Sequence, residues 1–231
     1  MRISEWFCNF LTPDWLTAVG TVGAVVLALI LALWGEMVSS LFVHPRLSLK
    51  ARVGGPDSEK TRRQVHAANA GTAYFFRLAV WNSGNTAAHD VQVFLAKIER
   101  IVSGQDVEKV SRVTPMNLKW AYRGTSTLPT LLPDMPPVYC DMAHVSEPYK
   151  KAFVDEYLEH VAPLDAVLVL DVEFPSNMQG HLLDAGTYYF HLILAAANCR
   201  PRKYKLEVTF PGKWFDEEES MFDVGLKMRC V

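Results

Sequence analysis

The chain has 231 residues, half of them hydrophobic, with 23 Lys and Arg against 25 Asp and Glu for a formal net charge of -2. That balance gives no general electrostatic reason to expect nucleic acid as a partner. The four cysteines, Cys8, Cys140, Cys199 and Cys230, are scattered without CxxC or zinc-ligand spacing, so no metal or other cofactor is expected, and reduced thiols in a reducing compartment are.

Residues 1–14 carry Trp6, Phe7, Phe10 and Leu11, as an interfacial segment on the outer membrane face would. From Trp15 to Trp34 no side chain is charged. A helix there, rising about 1.5 Å per residue, is roughly 28 Å long and matches the hydrocarbon thickness of a bilayer. The two bracketing tryptophans suit the membrane interfaces. Thr12 can cap the helix, Pro13 suits its first turn, and Asp14 complements its positive end. The expected helix spans 15–36. Arg2 is the only basic residue before it, whereas Arg46, Lys50 and Arg52 follow it. Positive flanks favour the cytoplasm, so the N-terminus is expected outside and the large domain inside.

Gly20, Ala24, Ala28 and Ala32 recur every fourth residue and form one ridge of small side chains. A second helix can approach closely along such a ridge, which makes a homo-oligomer, or another protein partner, an expectation alongside the lipid bilayer.

After a short linker at 37–45, the period becomes that of a strand. Leu47, Leu49, Ala51 and Val53 alternate with Arg46, Ser48, Lys50 and Arg52. A linker this short keeps the domain close to the membrane. Lys60, Arg62 and Arg63 fall in a polar stretch that reads as a solvated loop. Strands are expected at Tyr74 to Trp81 and His89 to Ile98, joined as a pair by Asn82-Ser83-Gly84-Asn85-Thr86. Thr125 to Val138, with four prolines, reads as a long loop. Ser146 would cap a helix whose stripe contains Tyr149, Phe153, Tyr157 and Val161. Further strands are expected at Ala166 to Phe174, Thr187 to Ala195, Lys203 to Phe210 and Gly225 to Cys230.

These elements predict a mainly β fold: the N-terminal helix, then an antiparallel sandwich over 46–231 with one short helix. Tyr74 to Leu95 (YFFRLAVWNSGNTAAHDVQVFL) resembles bacterial Ig-like adhesion and CARDB-type modules, whose second and third strands carry a V-x-N-x-G-N-x-x-A-x-x-V pattern. Asp184-Ala185-Gly186-Thr187-Tyr188 is similar to the D-x-G-x-Y tyrosine corner of immunoglobulin domains, which implies that Tyr188 hydrogen-bonds back to nearby backbone. Phe190 stands where those domains place a disulfide cysteine. The layout is also similar to that of uncharacterised bacterial single-pass proteins with a cytoplasmic β-domain, which implies the inner membrane.

No phosphate-binding glycine loop, H-E-x-x-H or G-x-S-x-G occurs. Cys140-Asp141-Met142-Ala143-His144 is the strongest reactive cluster. On a helix Cys140 and His144 meet on one side. On a strand they share a face about 13 Å apart, too far for direct proton transfer. His181, His191 and His89 read as hydrogen-bonding histidines, and Trp81, Trp120 and Trp214 could line a cleft, although at least two are expected in the core. The aromatics around Asp216 to Glu219 would suit a protein contact. The expected function is a membrane-anchored, non-enzymatic binding or sensing module. The alternatives are a membrane effector of a bacterial defence-type system that assembles through its helix, and a membrane-bound hydrolase using Cys140 and His144.

Overall fold

The computed structural model describes residues 13–42, 44–65, 68–103, 106–111, 113–147, 166–175 and 179–231. The interfacial segment at 1–12, with Thr12, and the helix expected after Ser146 lie outside the described residues. The chain divides into two units, Met1–His44 and Pro45–Val231.

In the first unit helix α1 covers Pro13–Phe42 and carries Asp14 in its first turn. It runs past the expected end at 36, so most of the presumed linker is helical. The stretch Asp14–Trp34 is long and apolar enough to cross a membrane. Trp15, Val22, Leu27, Leu31, Leu33 and Trp34 are exposed.

The second unit is two antiparallel sheets. The first has the order β1 (Leu47–Ala51), β3 (Ala68–Asn82), β9 (Val138–Ser146), β10 (Leu168–Leu170) and β11 (Leu182–Leu183). β2 (Ser58–Val65) also pairs with β3, and β7 (Lys119–Trp120) with β9. The second sheet has the order β14 (Lys227–Cys230), β13 (Cys199–Phe210), β12 (Gly186–Ala196), β4 (Ala88–Ser103) and β5 (Asp106–Lys109), with β6 (Met116–Asn117) and β8 (Leu128–Leu131) both on β4. Alternate residues of the long strands meet between the sheets: Tyr74, Phe76 and Leu78 from β3, Val91, Val93 and Leu95 from β4, Phe190 and Leu192 from β12, Leu206 and Val208 from β13. Each large apolar side chain so buried contributes about 1.5–3 kcal/mol of transfer free energy.

Four expectations change. The strands flanking 82–86 do not pair with each other: β3 lies in the first sheet and β4 in the second. The buried Asn82 makes this crossing possible. Its Oδ1 accepts from the backbone N–H groups of Arg46 (3.0 Å) and Gly84 (3.0 Å), and its Nδ2 donates to the carbonyls of Thr86 (2.6 Å) and Leu131 (3.1 Å). One amide thus satisfies backbone groups that a hairpin ladder would otherwise serve.

The second change is that the basic stretch at Lys60 is strand β2, paired with β3 as Lys60↔Tyr74 and Arg62↔Thr72. Lys60 Nζ reaches Asp216 Oδ1 at 2.8 Å and lies over the Tyr74 and Trp214 rings. The acidic run near the C-terminus is therefore tied to the sheet.

Third, the proline-rich stretch contains β8, which pairs with β4 as Ala88↔Leu131 and Val91↔Leu128. Pro129 is exposed there, and a residue without an N–H is tolerated on an edge strand. Finally, the strand expected from Ala166 to Phe174 shortens to Leu168–Leu170, because beyond Val172 the side chains leave the core and Phe174 is exposed.

Candidate functional site

A one-residue irregularity in β9 sets up the most polar part of the molecule. Cys140 lies opposite Leu78 and Asp141 opposite Arg77, but Ala143 then lies opposite Phe76 and His144 opposite Phe75. Met142 is the extra residue of a β-bulge, so the alternation of side chains changes phase across it. Cys140, Met142 and Ala143 all join the core, whereas the His144 ring stacks beside Phe75 on the other face, centroids 5.2 Å apart. The expectation that Cys140 and His144 share a face is corrected: the bulge puts the sheet between them. Cys140 is fully buried, donates to the Lys119 carbonyl at 3.4 Å, and burial holds its thiol well above the usual range. A protonated thiol in a closed core is a poor nucleophile.

On the outer face, Arg77 is only 3% exposed. Its Nε donates to Asp141 Oδ1 (2.8 Å), and its Nη1 contacts Glu59 Oε1 (2.7 Å) and Tyr122 Oη (2.9 Å). Tyr122 in turn donates to Glu59 at 2.5 Å and stacks on the guanidinium, 4.6 Å from ring centroid to Cζ. Tyr122 holds φ at 62°, a strained backbone for a bulky residue that these contacts hold in place. Burial pushes Glu59 up, but the hydrogen bonds from Tyr122 and Arg77 outweigh it and leave its carboxyl below the ordinary value. Asp141 goes the other way, pushed up from 3.8 to about 6 by burial and by the nearby negative Asp171, against the pull of Arg77. Asp171 receives His144 Nδ1 at 3.0 Å, and His144 Nε2 is buried without a partner among the described residues. The cluster is a locked set of charges, with each reactive head group facing another.

Beside it the same face is open. Lys50, Ala79 and Tyr139 form one row across β1, β3 and β9, and Trp81 stands next along β3, opposite Ser48. The small Ala79 between larger neighbours leaves a recess of about 300 Å³, lined also by Arg52, Asp57, Met135 and Pro137. Asp57 is buried and engaged: Arg52 Nε and Nη2 donate to its carboxylate at 2.8 and 3.3 Å. Lys50 forms no ion pair among the described residues. A larger hollow of about 510 Å³ over β13 and β14 has one aromatic wall, Phe222, and its Glu207 already pairs with Arg229 at 2.9 Å.

The other residues singled out from sequence are dispersed. Trp120 is buried, Trp214 packs against the core, and of the three tryptophans Trp81 lines the recess. His191 Nε2 lies 2.7 Å from Glu99, on the far sheet. The Tyr188 hydroxyl donates to the Asp184 carbonyl at 2.9 Å, and Gly186 sits against the Tyr188 ring. Gly20 on α1 has open space where a Cβ would stand. Arg77, Glu59, Tyr122 and Asp171 were not anticipated. Arg77 carried a signal, being a lone cation inside the apolar strand Tyr74 to Trp81. Among the described residues no group of His, Cys, Asp and Glu is placed to hold a metal ion. Compared with protein-family models and with curated proteins, the chain matches none.

Proposed function

We propose that this chain is a membrane-anchored, non-enzymatic binding module: α1 holds it in a bilayer, and the outer face of the first sheet takes a ligand in the recess over Ala79. That recess carries the reading, because it joins two aromatic walls and a Lys50 that has no ion pair among the described residues, on a rigid strand platform. The locked state of Arg77 and the protonated, buried Cys140 thiol favour binding over chemistry. The exposed apolar surface of α1 favours lipid as its surroundings, since the same surface in water is unfavourable by about 25 cal/mol per Å². Arg46, Lys50 and Arg52 support an N-terminus outside and a cytoplasmic domain, and the inner membrane of a bacterium is the setting the layout suggests. An Ig-like classification draws support from the Tyr188 to Asp184 bond and from the β3 to β4 crossing. The ridge Gly20, Ala24, Ala28 and Ala32 favours a second copy as the partner of α1.

Two measurements test this. The full chain should stay with membranes after alkaline extraction and be released when Val25 and Leu29 are both changed to Lys. In native mass spectrometry from detergent, a small-molecule mass should accompany the chain and be absent from the Ala79→Leu variant, whose longer side chain fills the recess. A chain extracted without mutation sinks the anchor. No bound mass, or one that Ala79→Leu retains, sinks the binding face.

A further inference from the structure

The lining of the recess narrows the ligand, and this step rests on the binding-module reading. Three cationic or anionic groups border it, Lys50, Arg52 and Asp57. Asp57 is 1% exposed and its carboxylate oxygens face Arg52 at 2.8 and 3.3 Å. The one acid is therefore consumed inside the wall. What the recess presents to a visitor is the Lys50 ammonium and the outer edge of Arg52, a surplus of one positive charge. A cationic ligand is disfavoured, and a neutral polyol would find no carboxylate to accept its hydroxyls.

The apolar part is equally specific. Tyr139 lies directly across the ladder from Ala79, and Trp81 lies two residues along the same strand, so both rings border the Ala79 floor from adjacent sides. Rings so placed offer stacking surface to a flat group, and stacking of this kind tolerates any aromatic base because every base has a π-face. The volume of about 300 Å³ is at the lower end for ligand pockets, about 300–1,000 Å³. It admits one ring system with its substituent, and not a chain of them.

The geometry points to a mononucleotide as the ligand of this recess, its base against Trp81 and Tyr139 over Ala79 and its phosphate on Lys50 and Arg52. A phosphate is held by point charge from a lysine and by the fork of an arginine, and Arg52 is already oriented by Asp57. Neither half of the ligand suffices, because the base alone leaves the surplus charge unanswered and the phosphate alone leaves the rings in water.

Isothermal titration of the full chain in detergent micelles tests the assignment, using AMP, CMP, GMP and UMP, with adenosine and inorganic phosphate as half-ligands. At least one monophosphate should bind saturably, and adenosine and phosphate should each bind tenfold or more weakly. Lys50→Gln should bring AMP down to the level of adenosine, Trp81→Ala should weaken it at least fivefold, and Ala79→Leu should abolish it while circular dichroism and the unfolding midpoint stay within error of the parent. Absence of binding by all four monophosphates overturns the assignment, as does binding that Lys50→Gln and Ala79→Leu leave unchanged, or adenosine binding as tightly as AMP. If the monophosphates fail while the Ala79-dependent mass is still seen in native spectra, the ligand class falls and the binding face stands.

Discussion

Arg77 and Asp141 lie directly opposite each other on β3 and β9, Nε to Oδ1 at 2.8 Å, at the edge of the bulge, with the Arg77 side chain 4% and the Asp141 side chain 15% exposed. Removing one partner of such a pair leaves a buried charge uncompensated, which is typically destabilising by about 3–5 kcal/mol. Arg77→Met should show a loss of this size in urea unfolding of the full chain in micelles. Adding Asp141→Asn to it should recover at least about 1 kcal/mol, since neighbouring groups in one network do not add. A strictly additive double variant would show that the pair is not coupled.

The raised Asp141 carboxyl gives a signed pH dependence. Its folded value of about 6 exceeds its ordinary 3.8, so the folded chain holds this proton more tightly than the unfolded chain does. The stability that the proton confers is present at low pH and is lost as pH rises through that window. Relative to Asp141→Asn, the parent protein should therefore lose stability between about pH 4 and pH 6 and then level off. The full change is about 3 kcal/mol at roughly 1.4 kcal/mol per unit. Unfolding of both proteins across that range measures the difference, and a flat or rising difference contradicts the assignment.

Cys140 should be inert. A maleimide or disulfide reagent applied to the native chain should modify the exposed Cys230 within minutes and leave Cys140 unreacted until denaturant opens the core. Peptide mass mapping distinguishes them. Fast native labelling of Cys140 would contradict its burial and return the hydrolase alternative to consideration.

Gly212 holds φ at +75°, and an added Cβ would stand 2.9 Å from the Cβ of Ala185. Ala185 has no longer side chain to swing away. Gly212→Ala should then cost about 1–3 kcal/mol from strain and overpacking together, and the Ala166 N–H bond to the Gly212 carbonyl (3.1 Å) should exchange its hydrogen faster. An unchanged unfolding midpoint would show that the turn relaxes freely.

For α1, changing Ala24 and Ala28 together to Ile should reduce oligomer size in detergent, measured by light scattering with detergent correction, while membrane retention persists. The added branches block close backbone approach without lowering hydrophobicity. Unchanged size would remove the ridge as an association surface.

The sequence made the period-2 strands legible wherever one face is buried, as at Leu47 to Ala51 or Lys203 to Phe210, because burial itself writes that alternation. Asn82 reads in the sequence as a turn residue, with nothing to mark it as a crossing point. Two of its four hydrogen bonds, to Gly84 and Thr86, are local like those of any turn, whereas those to Arg46 and Leu131 span 36 and 49 residues and leave no local trace. The site was less legible still. Strand alternation puts Cys140 and His144 on one face, and a bulge breaks alternation without a composition of its own. Trp81 and Lys50 were visible individually, whereas the recess between them depends on Ala79, which is notable only for being small.

The bulge at Met142 has a consequence for how this strand can vary. Residues before Met142 and residues after it occupy two different phases, so deleting that one position would merge them. Asp141 would stay opposite Arg77 and Ala143 opposite Phe76, with His144 still outward and Val145 still inward. Regular pairing that kept Met142 in the ladder would instead turn His144 inward and Val145 outward, trading an apolar side chain for a polar one across the sheet. Substitution at Met142 by another apolar residue of similar volume is a mild change by comparison. The face taken by every residue after position 142 thus depends on the bulge that absorbs Met142: the same letters paired without it would turn the second half of the strand over.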